Sequence, residues 1–293
     1  MTSAVRKGAC WFLSAPEPVG DCETLMARVR DAAAGGAAVL GVDLPLGLPR
    51  AYAAAHAREA DFSTFLRGLA ARPDFFSVCD VLAEVGANRP FYPRRGVAGM
   101  TRDSHAAALG LGGASGLSRM CDRKTAERPA GAPLFWTLGA NQTGKGAISA
   151  WRDWLIPALA SSDPPLLWPF AGDLGALLAP GAVVVAEAYP AEIMRHLGLS
   201  MRGSKRRQAD RQALASDLRA VLTRLSAIAA PELEAAITDG FGADAMGEDR
   251  FDSVIGVLGV INVAMGNRPG GIPDDPWIRR WEGWVLGQTS LPS

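Results

Sequence analysis

The chain is poor in the residues that usually announce a zinc site, a disulfide framework or a catalytic triad. It has four cysteines, Cys10, Cys22, Cys79 and Cys121, scattered with no CxxC pair. That spacing argues against structural zinc and against a stapled secreted fold, and leaves reduced, buried thiols as the expectation. There are three histidines, His56, His105 and His196, far apart in sequence, and no GxSxG elbow. Charge of one sign is also missing: thirty basic residues balance thirty acidic ones, so no global field draws the chain to nucleic acid or to a membrane surface. No apolar run approaches the roughly 20 residues of a membrane span. Arg6 and Lys7 precede only a short apolar stretch that Pro16 and Pro18 interrupt, which does not read as a signal peptide. The expectation is a cytoplasmic protein with no membrane partner. Oligomeric state is not readable.

What remains is enough for a large core: 293 residues, 48% of them hydrophobic and 20% charged. Residues 9–14 read as a strand and 21–34 as an amphipathic helix closed by Gly35-Gly36. Ala37 to Val42 and Val183 to Ala186 are continuous apolar runs, the signature of strands buried on both faces. Leu166-Leu167-Trp168 offers another short strand. Helices are expected at 147–160, after Pro190 as far as Gly198, over 205–228 and over 250–265. Residues 50–128 show short helices near 50–58 and 61–70, then a Pro/Gly-rich loop around 90–99. We read roughly 50–145 as a loop-rich insertion or cap on a single α/β domain spanning 1–293, in which alternating strands and helices give parallel pairing.

The chemistry is carried by acids. One apolar strand runs into Asp43 and the other into Glu187. Strand carboxyl ends form the ligand side of an α/β sheet, and a carboxylate desolvated there needs a cation to stay charged. A third group, Glu248, Asp249 and Asp252, opens the last long helix; Glu248 and Asp252 share a face, as do Asp249 and Asp252. Gly256 and Gly259 continue the side of Asp252 and would let that helix approach the sheet. Each acid has a plainer alternative: Asp43 as a turn acid, Glu187, Glu248 and Asp249 as helix-start acids. Three acids from separate segments are nonetheless the donor set that holds a divalent cation.

The stretches Gly41-Val-Asp-Leu-Pro-Leu-Gly-Leu-Pro49, Arg119-Met-Cys-Asp122, Glu187-Ala-Tyr-Pro190, Glu248-Asp-Arg-Phe-Asp252-Ser and Glu282-Gly-Trp-Val-Leu-Gly287 together resemble a family of predicted ribonuclease H-like nucleases, catalogued as domain of unknown function 429. The similarity runs from about residue 8 onward. It implies a ribonuclease H-like mixed sheet flanked by helices. It further implies a metal-dependent nuclease or phosphodiesterase in which Asp43, Glu187 and Asp252 bind Mg²⁺ or Mn²⁺, with Glu248 or Asp249 assisting. The resemblance departs at the opening strand, which carries no acid where members of that superfamily usually have one.

Basic and glycine-rich segments supply the candidates for phosphate. Lys205, Arg206 and Arg207 stand at an expected helix start, where cations oppose the helix dipole, so an anion partner gains weight. Arg119 flanks Asp122. Gly139 to Lys145 matches GxxxxGK after a strand-like Leu134–Leu138, but Gly146 stands where a phosphate loop needs Ser or Thr. Asn141, Gln142 and Lys145 are therefore expected to line the cleft rather than to form a true nucleotide loop. The rival readings are a nucleotide-binding ATPase or kinase-like protein using 139–145, and a non-catalytic binding protein of the same fold. Nucleic acid or a nucleotide is the expected partner.

Overall fold

The computed structural model describes residues 1–96, 98–139 and 143–292. The chain forms two three-stranded sheets with helices packed against them. In the first, β1 (Ala4–Lys7) and β2 (Cys10–Leu13) make an antiparallel hairpin, and β6 (Ala227–Ala229) adds parallel to β2. Gly8, at the first of the two loop positions, has φ 62°, the conformation a two-residue hairpin loop demands there. In the second, β5 (Val183–Glu187) lies between β3 (Ala38–Val42) and β4 (Leu166–Leu167), all parallel. All five residues of β5 are buried, as its unbroken apolar run requires.

The α/β class and the strands ending in Asp43 and Glu187 stand where the sequence put them. Three details are corrected. The expected single sheet is divided into one mixed and one wholly parallel sheet. The expected helix over 205–228 is two helices, Gln208–Gln212 and Ala215–Arg224. Residues 134–138 form a turn and a single-residue bridge between Tyr92 and Trp136 rather than a strand. The two strands that sequence reading missed, β1 and β6, are four and three residues long, too short to show an alternation.

Residues 50–138 carry short helices, among them Arg50–His56, Phe62–Gly68 and Arg102–Ala108, joined by turns. Their core is continuous with the parallel sheet: Phe62, Phe65, Phe75, Phe91, Phe135 and Trp151 share one buried cluster with Val183 and Val185. A second cluster joins the long helix Gly247–Ala264 to helices Pro190–His196 and Ala215–Arg224. The small residues act differently from expectation. Gly259 accommodates Ile193, whose Cδ1 would lie 2.6 Å from an added Cβ, and Gly256 has no neighbour within 4 Å. The close approach to the sheet is made instead at Gly41 of β3, where a Cβ would sit 2.8 Å from Val260 Cγ2. Among the described residues no helix is long and apolar enough to cross a membrane.

The loop after β3 is fixed by Gly47. Its φ is 144°, and a methyl group there would collide with the backbone carbonyl of Glu282. We expect Gly47→Ala to destabilise the fold by about 3 kcal/mol or more, through strain and displacement of the 282–283 segment, read as a lower urea midpoint with an unchanged slope.

Candidate active site

The register of the parallel sheet builds the site. Val42 pairs with Glu187, so Asp43 and Glu187 emerge side by side at the carboxyl ends of β3 and β5. They line a cavity of about 290 Å³ together with Arg119, Asp122, Arg128 and Tyr189. These side chains come from three separate parts of the chain, around 43, 119–128 and 187–189.

Glu187 is held rather than free. It is 7% exposed and receives both terminal nitrogens of Arg119, at 2.6 and 2.8 Å, and the backbone N–H of Leu46 at 2.8 Å. Arg119 is 1% exposed and also donates to both oxygens of Asp122, at 2.9 and 2.8 Å. Burial works against the guanidinium's charge, but Asp122 and Glu187 outweigh it and hold the group more firmly protonated than usual. Arg119 and Asp122, expected from sequence as phosphate contacts, are thus a buried ion-pair network that forms one wall of the cavity.

Asp252 reaches the same region from the long helix. Lys205 Nζ donates to both of its oxygens, at 2.8 and 2.5 Å, and lies 3.9 Å from Glu248. Burial, the largest influence, raises the Asp252 carboxyl above its ordinary range; Lys205 opposes this, and Glu248 and Asp249 reinforce it. Lys205 and Arg206 precede the short helix instead of opening a long one, and Arg206 is exposed with Glu248 3.8 Å away. Carboxylates therefore already satisfy the cations that the helix dipole was expected to leave open. Asp249 is exposed.

Asp43 differs from its neighbours. Among the described residues no hydrogen bond or ion pair engages its carboxylate. The residue is exposed by area, but it lies in a cleft that crowds it with protein. Burial, then repulsion from Asp252 and Glu187, pushes its carboxyl up to about 7, with Lys205 the only counterweight. Asp43, Glu187 and Asp252 therefore feel one another electrostatically. They do not form a close cluster: the group of three ligating side chains whose donor atoms all fall within 4.8 Å of one another, among the described residues, is Glu127, Glu192 and His196.

The glycine loop lies nearby. Helix Thr143–Ala150 begins within it, and Thr143 and Gly146 line the cavity, whereas Lys145 is exposed and does not. Asn141 and Gln142 lie outside the described residues. Two members of the site, Arg128 and Tyr189, escaped the sequence reading. Arg128 lines the cavity and pairs with buried Glu192 at 2.7 Å. Tyr189 follows Glu187 by two positions, on the same side of the extended chain. Glu282, 1% exposed, accepts the N–H groups of Arg50 and Met120, tying the closing segment to the loop after β3 and to the Arg119 turn. Only the acid within the aromatic run Trp277 to Trp284 hinted at this, since an acid among buried tryptophans has to be hydrogen-bonded.

No family model matches the chain, and neither a curated protein nor a solved structure matches it.

Proposed function

We propose that the protein is a metal-dependent phosphodiester hydrolase of ribonuclease H-like type, acting on a nucleic acid or nucleotide at the carboxyl ends of β3 and β5. The observation that carries this reading is Asp43: an unpaired carboxylate in a cleft, repelled by two further acids and countered by one lysine. Asp43, Asp122 and Glu187 bring carboxylate oxygens to the cleft beside the guanidiniums of Arg119 and Arg128, and an unpaired carboxylate among oxygen donors suits Mg²⁺ or Mn²⁺. Asp43 would hold the ion directly, and Asp252 would join it as Lys205 exchanges its carboxylate partner for a substrate phosphate. Glu187 contributes negative charge while Arg119 fixes its position. When bound, the metal supplies a more acidic water and charge to balance the leaving oxygen. Arg206, at the rim, would steer the phosphate backbone without reading sequence. The turn at 134–138 favours this reading over the phosphate-loop alternative, because that motif needs a strand before its glycines.

Titration of the full chain with Mn²⁺ by calorimetry tests it, paired with hydrolysis of a short oligonucleotide. We expect saturable Mn²⁺ binding, at least tenfold weaker in Asp252→Asn, and cleavage that stops with EDTA. Absence of Mn²⁺ binding by the parent chain would reject the assignment.

A further inference from the structure

Away from the carboxylate cleft lies a groove of about 550 Å³ whose lining includes Arg195, His196, Arg224, Asn262, Asn267 and Arg268. It shares no lining residue with the cleft. We propose that this groove is a second anion site that takes a phosphate group, held by Arg195, Arg224 and Arg268 and oriented by Asn262.

The guanidiniums have an alternative explanation that magnitudes can weigh. Three helices, Pro190–His196, Ala215–Arg224 and Gly247–Ala264, end at this groove. Each helix end carries about −0.5 charge at most, so together they account for roughly half of the three positive charges. The hydrogen bonds agree. Arg224 gives one nitrogen to the carbonyl of Leu197, at 2.8 Å. Arg268 gives two, to the carbonyl of Gly287 and to the hydroxyl of Thr289. Arg195 gives one to Glu192, at 3.2 Å. A guanidinium carries five N–H donors, so each arginine keeps donors for a ligand.

No carboxylate lines the groove. Glu192, fully buried behind it, is matched from the cleft side by Arg128 at 2.7 Å and contacts His196 at 3.2 Å. Glu127, whose carboxylate approaches Glu192 and His196, is exposed and outside the lining.

Asn262 is the independent observation. It is only 9% exposed, it lines the groove, and its side-chain amide has no hydrogen-bond partner among the described residues. Its amide atoms are not among the fully buried unpaired polar atoms of the described residues, so they open onto the groove, where a ligand oxygen would take the place of water. Three guanidiniums and an amide donor around one concavity match the oxygens of a phosphate group, which arginine recognises through paired N–H donors. The proposal stands apart from the reading of the cleft: Asp43 and Asp252 play no part in it.

Calorimetric titration with inorganic phosphate at low salt is the test, on the full chain and on Arg224→Gln, Arg195→Gln and Asn262→Leu. Arg195 is exposed, so its variant should fold even if Asn262→Leu does not. We expect single-site binding by the parent, at least tenfold weaker in Arg195→Gln and Arg224→Gln. Lys7→Gln, exposed and outside the lining of both cavities, should keep it. A fluorescein-labelled single-stranded oligonucleotide then separates the sources of phosphate. If it binds and weakens in parallel in the arginine variants, the phosphate belongs to a nucleic-acid backbone. If only inorganic phosphate responds, it belongs to a small ester. No phosphate binding by the parent, or parent-like affinity in both arginine variants at parent-like circular dichroism, overturns the proposal.

Discussion

Arg119→Met should destabilise the protein by roughly 3–5 kcal/mol, a fall in melting temperature on the order of 10 °C. The size follows from what stays behind. Arg119 is fully buried between Glu187 and Asp122 and makes four charge-assisted hydrogen bonds to their carboxylates through its side chain. Removing the cation leaves Glu187, 7% exposed, with the Leu46 N–H as its remaining partner. Two acids stranded in a low-dielectric setting must either stay charged at high cost or take up protons. The defect should therefore shrink as pH falls toward 4. The triple variant Arg119→Met, Glu187→Gln, Asp122→Asn should recover much of the loss, because no buried charge is then unmatched. Arg119→Lys should behave more like the methionine variant than like the parent, since an ammonium cannot serve two carboxylates with paired donors. Urea denaturation at pH 7.5 and pH 4.5 decides the matter: equal losses at both would mean that packing, not stranded charge, sets the cost.

The same arginine shows where sequence reading reaches its limit. Apolar runs bounded by glycine and proline placed β3 and β5 to within a residue, because a strand buried on both faces has no other composition to use. From their parallel alignment alone, Asp43 and Glu187 could be placed on one rim. Partner choice was not readable. Arg119 looks like a surface cation beside an acid until the fold buries it 68 positions away from its bidentate partner. Lys205 looked like a helix-start anomaly until the turn before Gln208 turned it to Asp252. Of the two glycines of the long helix read as close-packing residues, Gly259 packs closely, but against Ile193 rather than the sheet, and Gly256 does not; the close approach to the sheet is at Gly41. Gly139 to Lys145 carried a familiar spacing, but the preceding aromatic run spends its side chains on the core instead of on a strand ladder. Local pattern specifies elements. Which charges meet is a property of the whole chain, and short-range spacing does not contain it.

Asp43→Asn separates stability from activity, in opposite directions. A carboxyl whose folded-state value is raised to about 7, against roughly 3.9 in an unfolded chain, binds its proton more tightly when folded. Below about pH 4 both states are protonated and the group contributes nothing. As pH rises from about 4 through 7 the unfolded state ionises first, so stability is progressively lost; above 7 the penalty is constant. Asparagine cannot ionise, so the variant should lose this slope. At pH 8 without metal it should be more stable than the parent, by on the order of 1 kcal/mol once solvent screening at this partly open position is allowed for, or about 2 °C. Cleavage should fall at least 100-fold, because the carboxylate that holds the divalent ion is gone. Mn²⁺ should raise the parent's melting temperature through binding to the folded state, and raise it more at pH 8 than at pH 6, where the proton competes for Asp43. The variant's melting temperature should barely respond. A variant that melts lower than the parent at pH 8 would show that Asp43 makes a favourable contact as an anion, and the charge deficit on which the metal reading depends would not exist.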